Sequence, residues 1–499
     1  MTLMAERSLL ARKEEIMEAL KQKQYGQAEK LVKDTEDLLA LGTERGAETL
    51  LLVLPALASY YRHIQNYDRS ANLFQQALHT GKQAAARHSK NWAEIHFEYA
   101  ALERQYGHHA SARKLLATLL QFLEKREEKD TVSIGRVYST LGKIAMDEEN
   151  YQQAASQLRQ AVSLFRQSLP ETHSLLLQTI DLLSNTFIQM ESYQQARDLY
   201  QERLKKHREA GNHLLTGKTL LKMGEIDFYL NLRQARKTTG EALSVLEHAV
   251  GEKNIEISRA HLLLGELEEN MGKFPRAVKH YKYALEQLEH FYEPEHFMVV
   301  FAYAKIGTLA MKANDLEEAK TYLEKGLPLS QAFPKVRLQF LYALGKLYSG
   351  EELYEKADSF YEDFLQQLQT DDRKQSKAYA DTLQALAFNA LKQNDTEKAG
   401  LDYQKALDIY QQLKTRTFAE EGLCRIRLAY CVGQQDEQDV ARAAANYEKG
   451  FRLLERTRDP ALMEEALAGI IDFFTRHPDS KKRRKYEDKF VKLQTGKRQ

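Results

Sequence analysis

Side chains that could do chemistry are few and scattered along the 499 residues. Glu289-His290 and Glu295-His296 come nearest to a metal-ligand pattern, because a zinc site needs histidines or carboxylates three or four apart on one helix face. They flank Pro294 instead of sharing a face, so a structural or exposed role is expected. The two cysteines, Cys424 and Cys431, stand seven apart in one predicted helix, about 10.5 Å along its axis and beyond disulfide reach. They read as buried thiols. With no glycine-rich phosphate loop, nucleophile elbow or zinc-protease helix, no enzymatic activity and no cofactor are expected. Lys481-Lys-Arg-Arg-Lys485, followed by Lys489, Lys492, Lys497 and Arg498, has the form of a nuclear address or nucleic-acid contact. Tyr486 and Phe490 lie at helical spacing within it, which favours a terminal capping helix with a solvated basic face.

Charge and hydropathy narrow the classes further. Lys+Arg 72 against Asp+Glu 71 leaves +1, so no global field draws the chain to nucleic acid or an anionic membrane. The first thirteen residues carry Glu6, Arg7, Arg12 and Lys13 and resemble no secretory leader. The longest apolar stretch, Leu50 to Ala58, contains Pro55 and is too short to span a bilayer. A cytoplasmic chain without a membrane partner is expected.

The elements that must carry any site announce themselves by repetition. A register Tyr-x-x-Ala-x-x-x-aromatic begins at Tyr25, Tyr67, His109, Tyr151, Tyr193, Leu232, Phe274, Leu316, Tyr354, Thr396 and Val440. The steps are 42, 42, 42, 42, 39, 42, 42, 38, 42 and 44 residues. Three places on stands a small residue in every copy: Ala28, Ser70, Ala112, Ala154, Ala196, Ala235, Ala277, Ala319, Ala357, Ala399 and Ala443. A period in this range marks a solenoid whose units bury their apolar faces only by stacking. Nine residues before most register positions comes a second small residue, as at Ala58, Ala100, Gly142, Ser184, Gly265, Gly307, Gly345 and Ala387. Losing Cβ bulk there lets two helices approach. Polar turns such as Asp147-Glu-Glu-Asn150 separate the two small positions, so each unit is predicted to be an antiparallel helical hairpin. Joints at Pro170, Pro294, Pro334 and Pro460 reset the chain between units. Local curvature is expected to depart from the average at Asn231-Leu232, at Tyr354 and at the 433–438 turn.

This arrangement of small, aromatic and alanine positions resembles the tetratricopeptide repeat, and the 42-residue spacing is similar to that of kinesin light chains and maltose-type regulators. The resemblance covers about residues 4–457. It implies an all-α fold, a right-handed α-α superhelix of about eleven hairpins, with hairpin 4–40 as an N-terminal cap and 458–499 as C-terminal capping helices and basic tail. It also implies a concave groove lined by first helices. Carried onto this sequence, the inward positions are Arg62, Arg104, Arg136 and Lys143, then Asp181 and Asn185, then Glu225, Glu266 and Glu269, and finally Tyr342, Lys346, Phe388, Leu391 and Tyr430. A groove basic, then acidic, then aromatic would orient a protein or peptide by charge and anchor it on rings. The repeated inward asparagines of peptide-holding relatives are represented only by Asn185, and the paired lysine and asparagine of a chaperone C-terminus clamp are missing.

Three readings compete. The first is a non-enzymatic scaffold or adaptor binding a protein or peptide in the groove. The second is a peptide or metabolite sensor controlling a protein partner. The third, nucleic-acid or nuclear association through the tail, is disfavoured by the capping reading. Self-association through an open end of the stack is compatible with all three.

Overall fold

The computed structural model describes residues 2–40, 47–83, 90–126, 129–251, 254–434, 439–477 and 479–496. Among them are twenty-four α-helices, in two compact units, Met1–Ala242 and Leu243–Gln499. The first unit pairs α1 (Thr2–Lys21) with α2 (Tyr25–Ala40), α3 (Ala47–His63) with α4 (Tyr67–Gln83), and α5 (Lys90–Gln105) with α6 (His109–Glu124). It continues with α7 (Thr131–Asp147) and α8 (Tyr151–Ser168), α9 (Ser174–Gln189) and α10 (Tyr193–Glu209), and α11 (His213–Leu230) and α12 (Leu232–Val250), in which the unit boundary falls. The second unit pairs α13 (Ile255–Asn270) with α14 (Phe274–Phe291), α15 (Phe297–Lys312) with α16 (Leu316–Leu329), and α17 (Pro334–Gly350) with α18 (Tyr354–Thr370). There follow α19 (Lys377–Lys392) with α20 (Thr396–Gln412), α21 (Phe418–Val432) with α22 (Val440–Thr457), and then α23 (Pro460–Arg476) and α24 (Ser480–Gly496).

Each register residue from Tyr25 to Val440 is the first residue of an even-numbered helix. The cause lies two residues upstream. Lys23, Gln65, Gly107, Glu149, Glu191, Gly272, Asn314, Glu352 and Asn394 all adopt left-handed backbone, with φ between 55° and 77°. The chain reverses there because a left-handed residue closes the preceding helix: the Asn150 N–H donates to the Ala145 carbonyl at 2.8 Å and that of Asp315 to Ala310 at 2.9 Å. The next residue opens the following helix. Asn150, Asp315 and Asp395 accept from the backbone N–H of Gln153, Glu318 and Lys398.

The small residue three places into each second helix is fully buried in all eleven copies. It faces the small residue nine before the register position: the Ser70 hydroxyl donates to the Ala58 carbonyl at 2.8 Å. The upstream glycines make room chiefly for a side chain, and the backbone approach expected there is the lesser part. A methyl group on Gly142 would lie 2.6 Å from Leu158, on Gly265 2.8 Å from Tyr281, on Gly307 2.5 Å from Leu323 and on Gly345 2.5 Å from Tyr361. Each of those partners is the seventh residue after the register position, and each is buried. In the second unit one continuous apolar seam runs from Ala277 to Tyr486.

Asn231 and Pro55 are among the departures from the pattern. At the 39-residue step a single extended residue, Asn231, ends α11 and begins α12, accepting from the N–H of Arg233 and Gln234 at 3.0 and 3.1 Å. The shortened turn is braced by buried Asp227, which accepts from Arg197 at 2.6 Å and from the Thr238 hydroxyl at 2.8 Å. Pro55 lies inside α3 without ending it. Of the longer turn at 433–438, residues 435–438 lie outside the described residues.

Packing at the upstream glycines yields a paired prediction. Gly345→Ala should lower the unfolding free energy by about 1–3 kcal/mol through overpacking against Tyr361. Gly240→Ala, mid-helix in open space, should raise it by about 0.5–1 kcal/mol. Urea melts of both variants check this, and equal effects would exclude the glycine pocket.

Candidate functional site

Three first helices of the first unit enclose a cleft of about 730 Å³. Its apolar surface comes from Met17 and Leu20 of α1, Leu51, Leu52, Pro55 and Ala56 of α3, and Ile95 of α5. Glu14, Glu18, Lys21, Arg62, Glu94 and Glu98 are among its charged lining. Met17 is 42% exposed, an unbranched side chain left at the surface. Pro55 has no N–H to give the Leu51 carbonyl, so the cleft wall also lacks one helical hydrogen bond.

The basic residues predicted to line this face are largely committed within the chain. Arg62 of α3 donates to Glu98 and Gln105 of α5 at 3.2 and 2.9 Å. Arg104 of α5 donates to Asp147 of α7 at 2.8 Å. Arg136 of α7 grips Glu94 of α5 with two nitrogens and lies 4.0 Å over the Phe97 ring. These pairs stitch each first helix to the next; being partly exposed, each contributes at most about 1 kcal/mol. Reversing the charge of Arg104 and Arg136 would therefore cut repeat contacts as well as any partner contact. Lys143 of α7 is different: half-buried, it has no carboxylate within ion-pair distance among the described residues. Burial, and then the Arg104 charge, push its ammonium below the usual lysine range.

Asp181 of α9 turns toward α10, accepting from the Tyr200 hydroxyl at 2.5 Å and Arg203 at 3.4 Å. Burial and this carboxylate raise the Tyr200 pKa. Asn185 is exposed, and Glu225 pairs with Lys222 of its own helix at 2.7 Å. In the second unit Glu269 of α13 holds Lys305 and Lys312 of α15 at 2.9 and 3.7 Å, while Glu266 is exposed. Tyr342 is half-buried, its ring centroid 5.4 Å from that of Phe364. Phe388 lies beneath Lys392 and Arg427 at 5.5 and 5.1 Å, Leu391 is half-buried against the core, and Lys346 and Tyr430 are exposed.

Histidines at the joints have a role that residue type alone did not suggest. His296 Nδ1 accepts from the Met298 N–H at 3.2 Å, capping α15, with its ring stacked on Tyr292. His173 caps α9 in the same way through Leu175 at 3.2 Å. The signal was available: both stand just after a Pro-Glu joint and immediately before a helix. His290 and Glu295 are exposed, and Glu289 accepts from the Tyr303 hydroxyl at 2.9 Å. His261 and His280 approach one another, with Nδ1 atoms 3.1 Å apart and burial pushing His261 down to about 4. No group of three or more potential metal ligands gathers among the described residues. Cys424 and Cys431 are buried free thiols, each pushed up to about 12 by burial.

The basic tail folds back on the stack. Tyr486 of α24 is buried, stacked on Phe474 and edge-on to Phe451. Lys482 and Lys489 pair with Glu448 and Glu455 of α22. Phe490 is half-buried against the same core; Lys497 and Arg498 lie outside the described residues. No described helix is long and apolar enough to cross a membrane.

Stacked hairpins with a cleft between first helices define an all-α interaction repeat. Residues 133–209 and 256–332 match the family model of the tetratricopeptide repeat. No curated protein matches the sequence. Among solved structures it is similar to apo RapI, with 13% identity over 81% of this chain and 98% of that one and a TM-score of 0.44. It is also similar to aspartyl phosphate phosphatase F from Bacillus subtilis, with 15% identity, 72% and 94% coverage and a TM-score of 0.39. For the APC/C hetero-tetramer Cut9-Hcn1 the values are 15%, 94% and 99%, and 0.35.

Removing the Tyr486 ring should free α24. Tyr486→Ala is expected to cost about 3 kcal/mol and to open the 480–496 segment to protease, read by limited proteolysis. An unchanged digestion pattern would show that the tail is not held by this ring.

Proposed function

We propose that the chain is a non-enzymatic scaffold that binds a protein or peptide on its first-helix face, seated at the cleft between α1, α3 and α5. The observation that carries this reading is the cleft itself: apolar side chains from three successive repeats converge, and Met17 stays exposed. A packed core would have closed over such a surface. The inner-face ion pairs hold the helices that form it at fixed spacing, so little ordering cost remains for binding. Glu14 and Glu18 on one side, and Arg62 paired with Glu98 on the other, supply polar edges around an apolar centre. The aromatic positions Phe388 and Tyr430 offer a separate anchor in the second unit.

The test is Leu52→Glu, which places a carboxylate in the cleft without touching the Arg62 or Arg136 pairs. A partner co-purifying from the native host should be lost by about tenfold or more in affinity, with helicity and melting unchanged. A partner that binds the variant as well as the wild type would exclude the cleft.

A further inference from the structure

We infer that the outward face of α24 binds the phosphate backbone of duplex nucleic acid, without reading its sequence, through Lys481, Arg484, Lys485 and Lys492. This goes beyond the scaffold reading and does not involve the first-helix cleft.

The inference starts from a division of labour on one helix. The sequence sets a capping helix against a nucleic-acid contact, and the structure gives each its own face of α24. Tyr486 is buried, Phe490 and Leu493 are half-buried against the core, and Lys482 and Lys489 pair with Glu448 and Glu455 of α22. Those residues hold the helix down. At 3.6 residues per turn, Lys481, Arg484, Lys485 and Lys492 fall within about 100° of one another around the axis, turned away from Tyr486. All four are exposed. None has a carboxylate within ion-pair distance among the described residues, whereas Arg483 beside them is taken by Glu487 at 2.7 Å. Asp488 shares the face, so four cations less one carboxylate leave +3 there. The whole chain balances to +1, which makes this a local excess.

The chemistry of the face selects among polyanions. Cations without carboxylate partners are the groups that release counterions from a polyphosphate. From Lys481 to Lys492 the helix runs about 17 Å, alongside about ten phosphate charges of a duplex. A membrane suits the face less well, because an interfacial helix turns its large apolar side chains toward lipid. Here Phe490 and Leu493 face the core, and Val491 is the large apolar residue left outside. A single strand is held by stacking bases on aromatic rings, and Tyr486 is already stacked on Phe474. Lysines meet phosphates as point charges and carry no base pattern, so binding follows backbone charge.

The test uses the full chain and a fluorescent mixed-sequence DNA duplex of about 20 base pairs, read by anisotropy between about 50 and 200 mM salt. Wild-type protein should bind saturably, with log K falling against log salt at a slope of about −3 to −4. Lys481→Gln with Arg484→Gln should reduce that slope by about 2 and weaken low-salt binding about tenfold or more. Both lie near the start of α24, where a cation opposes the helix dipole, so this variant should melt no lower than wild type. Lys114→Gln with Lys125→Gln, exposed at α6, removes the same charge elsewhere and should leave binding unchanged. Failure of the wild type to bind overturns the inference, as does an unchanged slope in the α24 variant. Tighter binding of a single strand of the same length overturns the commitment to a duplex. Tighter binding of phosphatidylserine vesicles than of the duplex assigns the face to membranes and overturns it likewise.

Discussion

Everything in this chain depends on how one hairpin closes on itself. Two positions, one in each helix, must be small, and a third must send a large side chain between them. Gly345 and Ala357 with Tyr361, or Gly142 and Ala154 with Leu158, form the same three-part lock. The first small residue leaves a pocket, the second lets the helices cross closely, and the seventh residue fills what remains. Packing at protein density leaves little slack in such a lock. Because most copies repeat it, the first helices within each unit are delivered to one face at regular intervals. That regularity turns separate helices into a lined cleft and a ladder of charges.

The charge ladder has two uses that compete for the same residues. Arg62, Arg104 and Arg136 hold neighbouring repeats together, and Glu269 does so through Lys305. Each pair is weak, being partly exposed. Together they fix the azimuth of helices whose apolar contacts lie elsewhere. A side chain so engaged is a poor recognition element, since a ligand must first displace its partner.

The sequence made the fold legible to the residue at the start of every second helix. The reason is local: a left-handed corner, a cap and a buried small residue fall within six positions, as at Glu149, Asn150 and Ala154. What the candidate inner-face residues pair with was not legible. Whether Arg104 is free depends on Asp147, forty-three residues away in sequence, and no periodicity encodes that reach. Asp181, expected to face a ligand, also accepts from Tyr200, because a buried hydroxyl needs an acceptor. The capping role of His173 and His296 rests on Nδ1 accepting from a backbone N–H, which residue type alone does not reveal. Pro55 was noted only within an apolar stretch, and α3 runs through it from Ala47 to His63.

The self-contained lock has a consequence for how such a chain can change its length. Removing or duplicating a whole 42-residue block within a regular run, for instance between Tyr67 and Tyr151, sets like against like at the new junction. Its pocket meets the same kind of plug, and its corner meets the same kind of cap. Excising the block around Asn231 would not, because that turn has no left-handed corner and depends on Asp227 reaching Arg197 and Thr238. A change in repeat number is thus expected to cost less along the regular stretches than at this turn.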